Sequence, residues 1–318
     1  MAIESGLVST IIPVFNRSAM LREAVGSVLA QTYRPIEIVI VDDGSTDDTG
    51  QAAETLAAAH SEIRVIHQTN GGVGRAREAG RLAARGEFIQ HLDSDDLLLP
   101  RKFELEVAAL TAHPDCGIAY GITRYRGPGG DEITCDWKVN NLIETTLFPS
   151  LLLARWWETV TPLFRRAVTD AIGPWSDLTL EEDWEYDARA AALGVRLAYV
   201  PEVLAEYRDH DAGRLSRGSA LGPARLQERA RAHELILAHA RRAGIATSAP
   251  EMQQFARELF LLARQCGAAG LADESRRLVA AARSVSDARD LRMYERVAGL
   301  IGWSVAGRLA CLADRVRS

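Results

Sequence analysis

The sequence predicts an α/β protein, a mainly parallel sheet flanked by helices, with a helical region at its C-terminal end. Three observations carry that expectation. Within the first hundred residues, four short β-rich runs alternate with segments of helical spacing, the pattern of right-handed βαβ units. Two of those runs lead into clustered carboxylates, Asp42-Asp43 and Asp93-Ser94-Asp95-Asp96, and in open α/β sheets ligands collect beyond the carboxyl ends of the strands. After about Gly213 the composition turns to Ala, Arg and Leu with apolar residues three and four apart, the stripe of amphipathic helices.

Leu7-Val8-Ser9-Thr10-Ile11-Ile12 opens the chain as a strand, and Pro13 is expected to stop it because proline removes a ladder donor. Asn16 or Ser18 can then cap a helix with Leu21, Val25, Val28 and Leu29 on one stripe. Residues 37–41 are apolar nearly throughout, as strands buried on both faces are, and a helix follows through Gln51 to Ala59. Residues 63–66 make the third strand, 73–84 the third helix and 88–92 the fourth strand. Another helix begins near Pro100. From Ile118 to Ile143 the pattern loosens into Gly-rich, polar and aromatic stretches that read as antiparallel strands and loops. A helical piece is expected around 147–157, and Gly173-Pro174-Trp175 breaks the chain. Glu181 to Ala192 reads as an amphipathic helix closed by Gly194, and 195–199 as a last strand ending before Pro201. Leu226, Ala230 and Leu237 mark one C-terminal helix; Met252, Phe255, Leu259 and Ala263 mark another. The expected domains are 1–212, with halves of about 1–100 and 101–212, and a helical region over 213–318.

The 318 residues carry a net charge of −6 without a basic block, which argues against a nucleic-acid partner. Cys116, Cys135, Cys266 and Cys311 are scattered without metal-ligand spacing, so reduced thiols and a cytoplasmic location are expected. No charged segment followed by a long apolar one opens the chain, and no apolar run approaches the ~20 residues of a membrane-spanning helix. Any membrane contact is expected from the surface.

Three carboxylates as close as Asp93, Asp95 and Asp96 repel one another unless a cation sits among them. Their hard oxygens suit Mg²⁺ or Mn²⁺, ions that borrow further ligands from substrate phosphates. The stretch reads as a metal bridging Asp95, with Asp93, to a diphosphate; it reads equally as an acidic turn before a helix. Asp42-Asp43-Gly44-Ser45 is either a turn with Ser45 or Thr46 as helix cap, or a carboxylate facing a nucleobase N–H or ribose hydroxyl. Two acidic strand ends in one parallel sheet weigh towards a site. Gly72-x-Gly74 resembles the start of a dinucleotide fingerprint, but Arg77 stands where its third glycine belongs. Arg75 and Arg77 at that helix start meet a phosphate or nucleobase, or stand solvated. Leu180-Glu181-Glu182-Asp183-Trp184-Glu185 opens a helix, where the dipole alone favours acids; Asp183 can also serve as general base towards an acceptor hydroxyl. His210, on a loop after Tyr207-Arg208-Asp209, is structural or a ligand to metal or diphosphate.

In their order along the chain, Pro13-Val14-Phe15-Asn16, Val41-Asp42-Asp43-Gly44-Ser45, Asn70-x-Gly72 with Ala76-Arg77 and Gly80, Gly86-Glu87-Phe88-Ile89 and Leu92-Asp93-Ser94-Asp95-Asp96 are similar to the motifs of family 2 glycosyltransferases. Glu182-Asp183 and Tyr207-Arg208-x-His210 extend the resemblance over roughly residues 5–212. It implies a GT-A fold of Rossmann-like character. It also implies transfer of a sugar, with inversion, from a nucleoside diphosphate donor, UDP-sugars first, to a saccharide or lipid-linked acceptor. The cofactor implied is Mn²⁺ or Mg²⁺. Carried onto this chain, the resemblance places Pro13 and Phe15 at the donor, Phe15 stacking on the base and Asp43 binding it. Arg77 would hold base or diphosphate, Asp93 and Ser94 would bind the donor, and Asp95 would bind the metal with Asp93 and His210. Asp183 would be the catalytic base. Glu78 departs from the pattern, since the family often has Asn there, and the region after 212 varies across the family.

Tyr294, Val297, Ile301, Val305, Leu309, Leu312 and Val316 form an apolar stripe on what reads as one last helix, with Trp303 nearby. Arg292, Arg296, Arg308, Arg315 and Arg317 occupy its other faces. Such a helix lies on an anionic membrane surface, packs on its own core, or meets a second subunit. Two other function classes share parts of the pattern. A nucleotide-sugar binding or scaffolding protein without turnover would not need Asp183. A sugar-phosphate nucleotidyltransferase would carry a Gly-rich basic loop after the first strand, where Pro13-Val14-Phe15-Asn16 stands instead.

Overall fold

The computed structural model describes residues 3–127, 132–134, 144–209 and 222–317. By packing, the chain forms two compact units: Met1–Leu147, Arg155–Thr179 and Leu193–Arg214 make the first, and Phe148–Ala154, Leu180–Ala192 and Leu215–Ser318 the second. This division follows contacts rather than a single cut near 212, and it assigns the stretch that carries Asp183 to the second unit.

In the first unit, β1 (Glu4–Val14), β2 (Ile36–Asp42), β3 (Ile63–His67) and β4 (Gly86–His91) are the four expected strands. They run parallel in the order β3-β2-β1-β4, joined through α1 (Ser18–Leu29), α2 (Thr49–Ala59) and α3 (Val73–Ala83). Every residue of β2 is buried, and the two-residue period of a strand sends its side chains to opposite layers. Ile38 and Ile40 pack with Leu21, Val25 and Val28 of α1 and with Phe103, Val107 and Leu110 of α4 (Lys102–Ala112). Val39 and Val41 pack on the other face with Ala76, Ala79 and Ala83 of α3. Gly80 lets α3 approach the sheet, for a Cβ there would lie 2.3 Å from Ile11 Cγ2.

Beyond β4 the sheet becomes mixed. With β5 (Leu97–Leu98), β6 (Cys116–Arg126), β8 (Pro162–Arg165) and β9 (Arg196–Arg208), the order is β3-β2-β1-β4-β8-β6-β9-β5, and β7 (Glu132–Thr134) pairs with β6. These are nine strands among the described residues. The loosely patterned stretch after Ile118 does pair antiparallel with β7 and β8, yet β6 runs parallel to β9. α5 (Arg166–Ile172) follows β8 directly.

Several local expectations give way to tertiary context. Pro13 does not stop β1 but pairs in register with Val41. The Ile11 carbonyl accepts from Leu92 and the Val14 carbonyl from Asp43, so by alternation the missing Pro13 N–H faces the β4 side, where the ladder has ended. β9 likewise runs through an exposed Pro201, at a register shift between Tyr120 and Ile122 of its partner, where a ladder bond is already lost. Neither Asn16 nor Ser18 caps α1, and neither Ser45 nor Thr46 caps α2; the Asn16 and Thr46 side chains meet each other instead, and Ser45 Oγ accepts the Asn16 N–H. Of the helical piece near 147–157 only the 3-10 turn Ser150–Leu152 forms.

The second unit consists of that turn, α6 (Glu182–Ala192), α7 (Pro223–Arg242), α8 (Pro250–Ala268), α9 (Ala272–Arg283), α10 (Arg289–Ile301) and α11 (Trp303–Arg317). Leu226, Ala230, Leu237, Met252, Phe255, Leu259 and Ala263 are buried, as their spacing predicts. The last helix is two helices, broken at Gly302, whose φ of 91° falls in the left-handed region that glycine enters without steric cost. Of the apolar stripe Tyr294 is buried, whereas Val297, Ile301, Val305, Leu309 and Leu312 are exposed, as are Met293 and Leu300. The side chains of Arg315, Val316 and Arg317 lie outside the described residues. Among the described residues no helix is long and apolar enough to cross a membrane.

Candidate active site

Parallel strands deliver their carboxyl ends to one edge of the sheet, so β1, β2 and β4 bring Pro13 and Phe15, Asp42 and Asp43, and Asp93 to Asp96 to the same side of the first unit. Phe15 is 43% exposed there, an open aromatic face of the kind on which a planar base can stack. The Asn16 N–H donates to Ser45 Oγ (3.0 Å), and the Thr46 N–H donates to Asn16 Oδ1 (2.8 Å). The first two strand tips are thereby tied together.

The two acids at the end of β2 divide the roles left open by the sequence. Asp42 makes the turn: its Oδ1 accepts the Ser45 N–H (3.0 Å) and its Oδ2 meets His67 Nδ1 (3.0 Å). Burial pushes the Asp42 carboxyl up, but the bonds from Ser45 and His67 outweigh it and hold the group below the usual range. His67 is raised by its hydrogen bond to Glu54 and then by Asp42. Asp43 braces the loop that leads to α3. Its Oδ1 accepts from Gln68 Nε2 (2.7 Å) and Gly71 N (2.9 Å), and its Oδ2 from Gly72 N (2.9 Å). A carboxylate offers about four lone-pair positions, so capacity for a further donor remains on Oδ2.

The acids after β4 are set among arginines. Arg77 Nη2 lies 2.7 Å from Asp93 Oδ1, its guanidinium 4.6 Å from the Trp175 ring centroid, and it is buried. Arg75 is exposed, so the expected pair separates into one solvated and one buried cation. Arg17 Nη1 lies 2.5 Å from Asp95 Oδ2. The Arg208 N–H donates to Asp96 Oδ1 (3.0 Å), and its guanidinium reaches the Asp95 carbonyl and Glu23. Ser94, Asp95 and Asp96 are buried. Burial first, then repulsion from Asp95 and Asp93, holds the Asp96 carboxyl well above the carboxylate range. Behind them the buried His91 is pushed down to about 3, by burial and then by Arg77 and Arg81. Glu78, the departure from the family pattern, forms a fork with Arg81 (2.9 and 2.7 Å).

Among the described residues no three His, Cys, Asp or Glu side chains are grouped as a metal site. The donor chemistry of Asp93 and Asp95 nevertheless fits a hard divalent cation, provided the ion takes the place that Arg17 holds at Asp95. Asp183 lies in the first turn of α6, in the second unit, and its Oδ1 accepts the Trp184 N–H (2.8 Å). His210 falls outside the described residues. Sequence reasoning missed Arg17 and treated Trp175 only as part of a chain break. Arg17 meets a partner 78 positions away, beyond the reach of any local periodicity.

Residues 9–162 match the family model for glycosyl transferase family 2. The glycosyltransferase GlyG of Streptococcus pneumoniae serotype 4 is 41% identical over 101 residues, 31% of this chain and 34% of that protein. EpsJ of Bacillus subtilis, described as an uncharacterized glycosyltransferase, is 44% identical over 98 residues, 31% of this chain and 28% of that protein. The chain thus matches about a third of the length of these curated relatives. S. aureus TarS 1–349, solved in complex with UDP, superposes with a TM-score of 0.69 at 20% identity, over 96% of this chain and 91% of that one. The mannosyltransferase PcManGT from Pyrobaculum calidifontis, solved with GDP-Man and Mn²⁺, gives 0.56 at 19%, over 96% and 87%. At such identities the likeness is one of fold. The family 2 pattern thus runs from within β1 to the start of β8, over residues 9–162, and the chain around it has the GT-A fold that these transferases share.

Proposed function

We propose that this protein is an inverting glycosyltransferase that moves a sugar from a nucleoside diphosphate donor, UDP-sugars first, to a saccharide or lipid-linked hydroxyl in glycoconjugate synthesis. One observation carries the reading: Phe15, Asp43 and the Asp93–Asp95 stretch meet at one sheet edge inside the matched region. That the fold neighbours were solved with UDP and with GDP-Man makes nucleotide sugars the donors to test first.

Phe15 would stack on the base, beside Pro13, and the remaining lone pair of Asp43 would accept a base N–H. Arg77, held by Trp175, orients Asp93, and Ser94 lines the same turn. A divalent ion, Mn²⁺ or Mg²⁺, would be held by Asp95 and Asp93, with His210 as a further candidate, and would offset charge on the departing diphosphate. Asp183 takes the proton of the acceptor hydroxyl as that oxygen bonds to the anomeric carbon. The bond to the diphosphate oxygen breaks on the opposite face, and its electron pair leaves with the diphosphate.

Calorimetry with UDP-, GDP- and dTDP-sugars, with and without Mn²⁺, tests the donor reading. One donor class is expected to bind, more tightly with Mn²⁺, and Asp95→Ala to lose the metal-dependent gain while keeping the metal-free affinity. Binding of no nucleotide sugar would remove the function, and equal affinities in variant and wild type would remove the metal assignment.

The exposed apolar residues of α10 and α11, beside exposed Arg292, Arg296 and Arg308, support peripheral contact with an anionic membrane from the cytoplasmic side. Exchange of Leu300, Leu309 and Leu312 for serine is expected to abolish flotation with anionic vesicles. Unchanged flotation would refute the contact, and a change in sedimentation mass instead would identify a subunit interface.

A further inference from the structure

α6 starts from a residue in a disfavoured conformation. Glu181 has a φ of 61°, a left-handed value that crowds the Cβ of any non-glycine residue and persists only where the surroundings over-determine it. The surroundings lie within the second unit. Glu181 Oε1 accepts from Arg229 Nε at 2.7 Å, and Oε2 lies 3.1 Å from His233 Nδ1. The His233 ring, whose Nδ1–H donates to the Arg229 carbonyl (3.0 Å), stacks on Phe255 with centroids 5.5 Å apart and planes 7° from parallel. The Trp184 edge meets His233 at 5.3 Å, and its Nε1–H donates to the Leu151 carbonyl (3.0 Å). Glu185 Oε1 meets His239 Nε2 (3.0 Å), and Arg189 pairs with the same oxygen as an ion pair, its Nε 3.0 Å away. Burial raises the Glu185 carboxyl, but these two partners outweigh it, so the group stays charged and paired.

Asp183 therefore sits in a turn whose neighbours on both sides are held by α7. We infer that Arg229 is a positioning residue for Asp183: by holding the Glu181 carboxylate it keeps that residue's backbone left-handed and so sets the direction in which the next turn presents the Asp183 carboxylate. Released from Arg229, Glu181 is free to relax to an ordinary φ, and the turn after it rotates. On this account the C-terminal helices belong to the catalytic apparatus. The inference rests on Asp183 being the base.

Its test is a double-mutant cycle in the full chain, read by steady-state kinetics with donor affinity from calorimetry. Arg229→Leu is expected to lower kcat about 10²-fold, the scale of a ~1 Å misplacement of a catalytic group, with donor affinity unchanged. Arg229→Lys is expected to restore part of the loss by keeping the charge. In an Asp183→Asn background, Arg229→Leu is expected to cost nothing further, because groups acting as a unit are non-additive. Glu181→Gly tolerates the left-handed φ without strain but also populates ordinary ones, so the fold is preserved while the turn is no longer fixed in one direction, and kcat is expected to fall there too. Wild-type kcat in both Arg229→Leu and Glu181→Gly, or additive losses in the double variant, overturns the inference and leaves the base assignment standing. Full turnover in Asp183→Asn alone overturns the base assignment and the inference with it.

Discussion

Asp183→Asn is expected to bind the nucleotide-sugar donor as the wild type does and to turn it over about 10²–10⁴-fold more slowly, the range that a positioned general base contributes. The asymmetry follows from where the groups lie. The candidate donor contacts Phe15, Asp43, Asp93 and Asp95 all belong to the first unit, and Asp183 to the second. An amide in place of the carboxylate keeps the shape of the α6 turn and its bond to the Trp184 N–H (2.8 Å), yet it cannot accept a proton from an attacking hydroxyl. Single-turnover transfer beside donor calorimetry separates the two effects. Transfer at the wild-type rate would take Asp183 out of the mechanism. A wild type that binds donor without any turnover would instead favour a nucleotide-sugar binding or scaffolding protein.

The second large effect concerns stability. Lys102 and Glu106 stand one turn apart in α4, both fully buried, with Nζ 2.7 Å from Glu106 Oε2 and 2.6 Å from the Thr161 carbonyl. Their neighbours Phe103, Val107 and Leu110 are core residues. Burial pushes Lys102 down and Glu106 up to about 7. Lys102→Met leaves the carboxylate without its cation and is expected to destabilise the protein by about 3–5 kcal/mol near neutral pH, the usual result of removing one partner of a buried pair. The sign with pH follows from the raised Glu106 value. A carboxyl that binds its proton more tightly folded than unfolded contributes stability below the unfolded value, 4.5, and loses it as pH rises through the folded one. The deficit of the variant is therefore smallest in acid and grows as pH rises through about 7. Lys102→Met with Glu106→Leu, which removes both charges, is expected to recover most of the loss. Urea denaturation across pH measures all three proteins, and a single variant as stable as wild type would show that water reaches the site.

Much of the first unit is legible in the sequence because its signals are local. A short β-rich run followed by a helical stripe depends only on neighbours in the chain, and β1 to β4 with α1 to α3 form where those patterns lie. The carboxyl ends of parallel strands share an edge, so the strand pattern alone puts Asp43 and Asp93 on the same side of one sheet. The order of short motifs likewise carried the resemblance to the family whose model residues 9–162 match.

What the tertiary structure alone decided involves partners distant in sequence. Pro13 and Pro201 remain inside strands because neighbouring ladders have ended or shifted beside them. Arg77 is buried because Trp175 and Asp93 receive it, whereas Arg75, two positions away, is left to solvent. Arg17 meets Asp95 only once β1 and β4 are paired. The helix of Asp183 joins the C-terminal helices through Glu181 and Glu185, and Gly302 divides an apolar stripe that periodicity reads as continuous. Hydrophobic period specifies which face of an element is turned inward; which charged group it meets there is settled by chain topology, and no window of neighbouring residues encodes that.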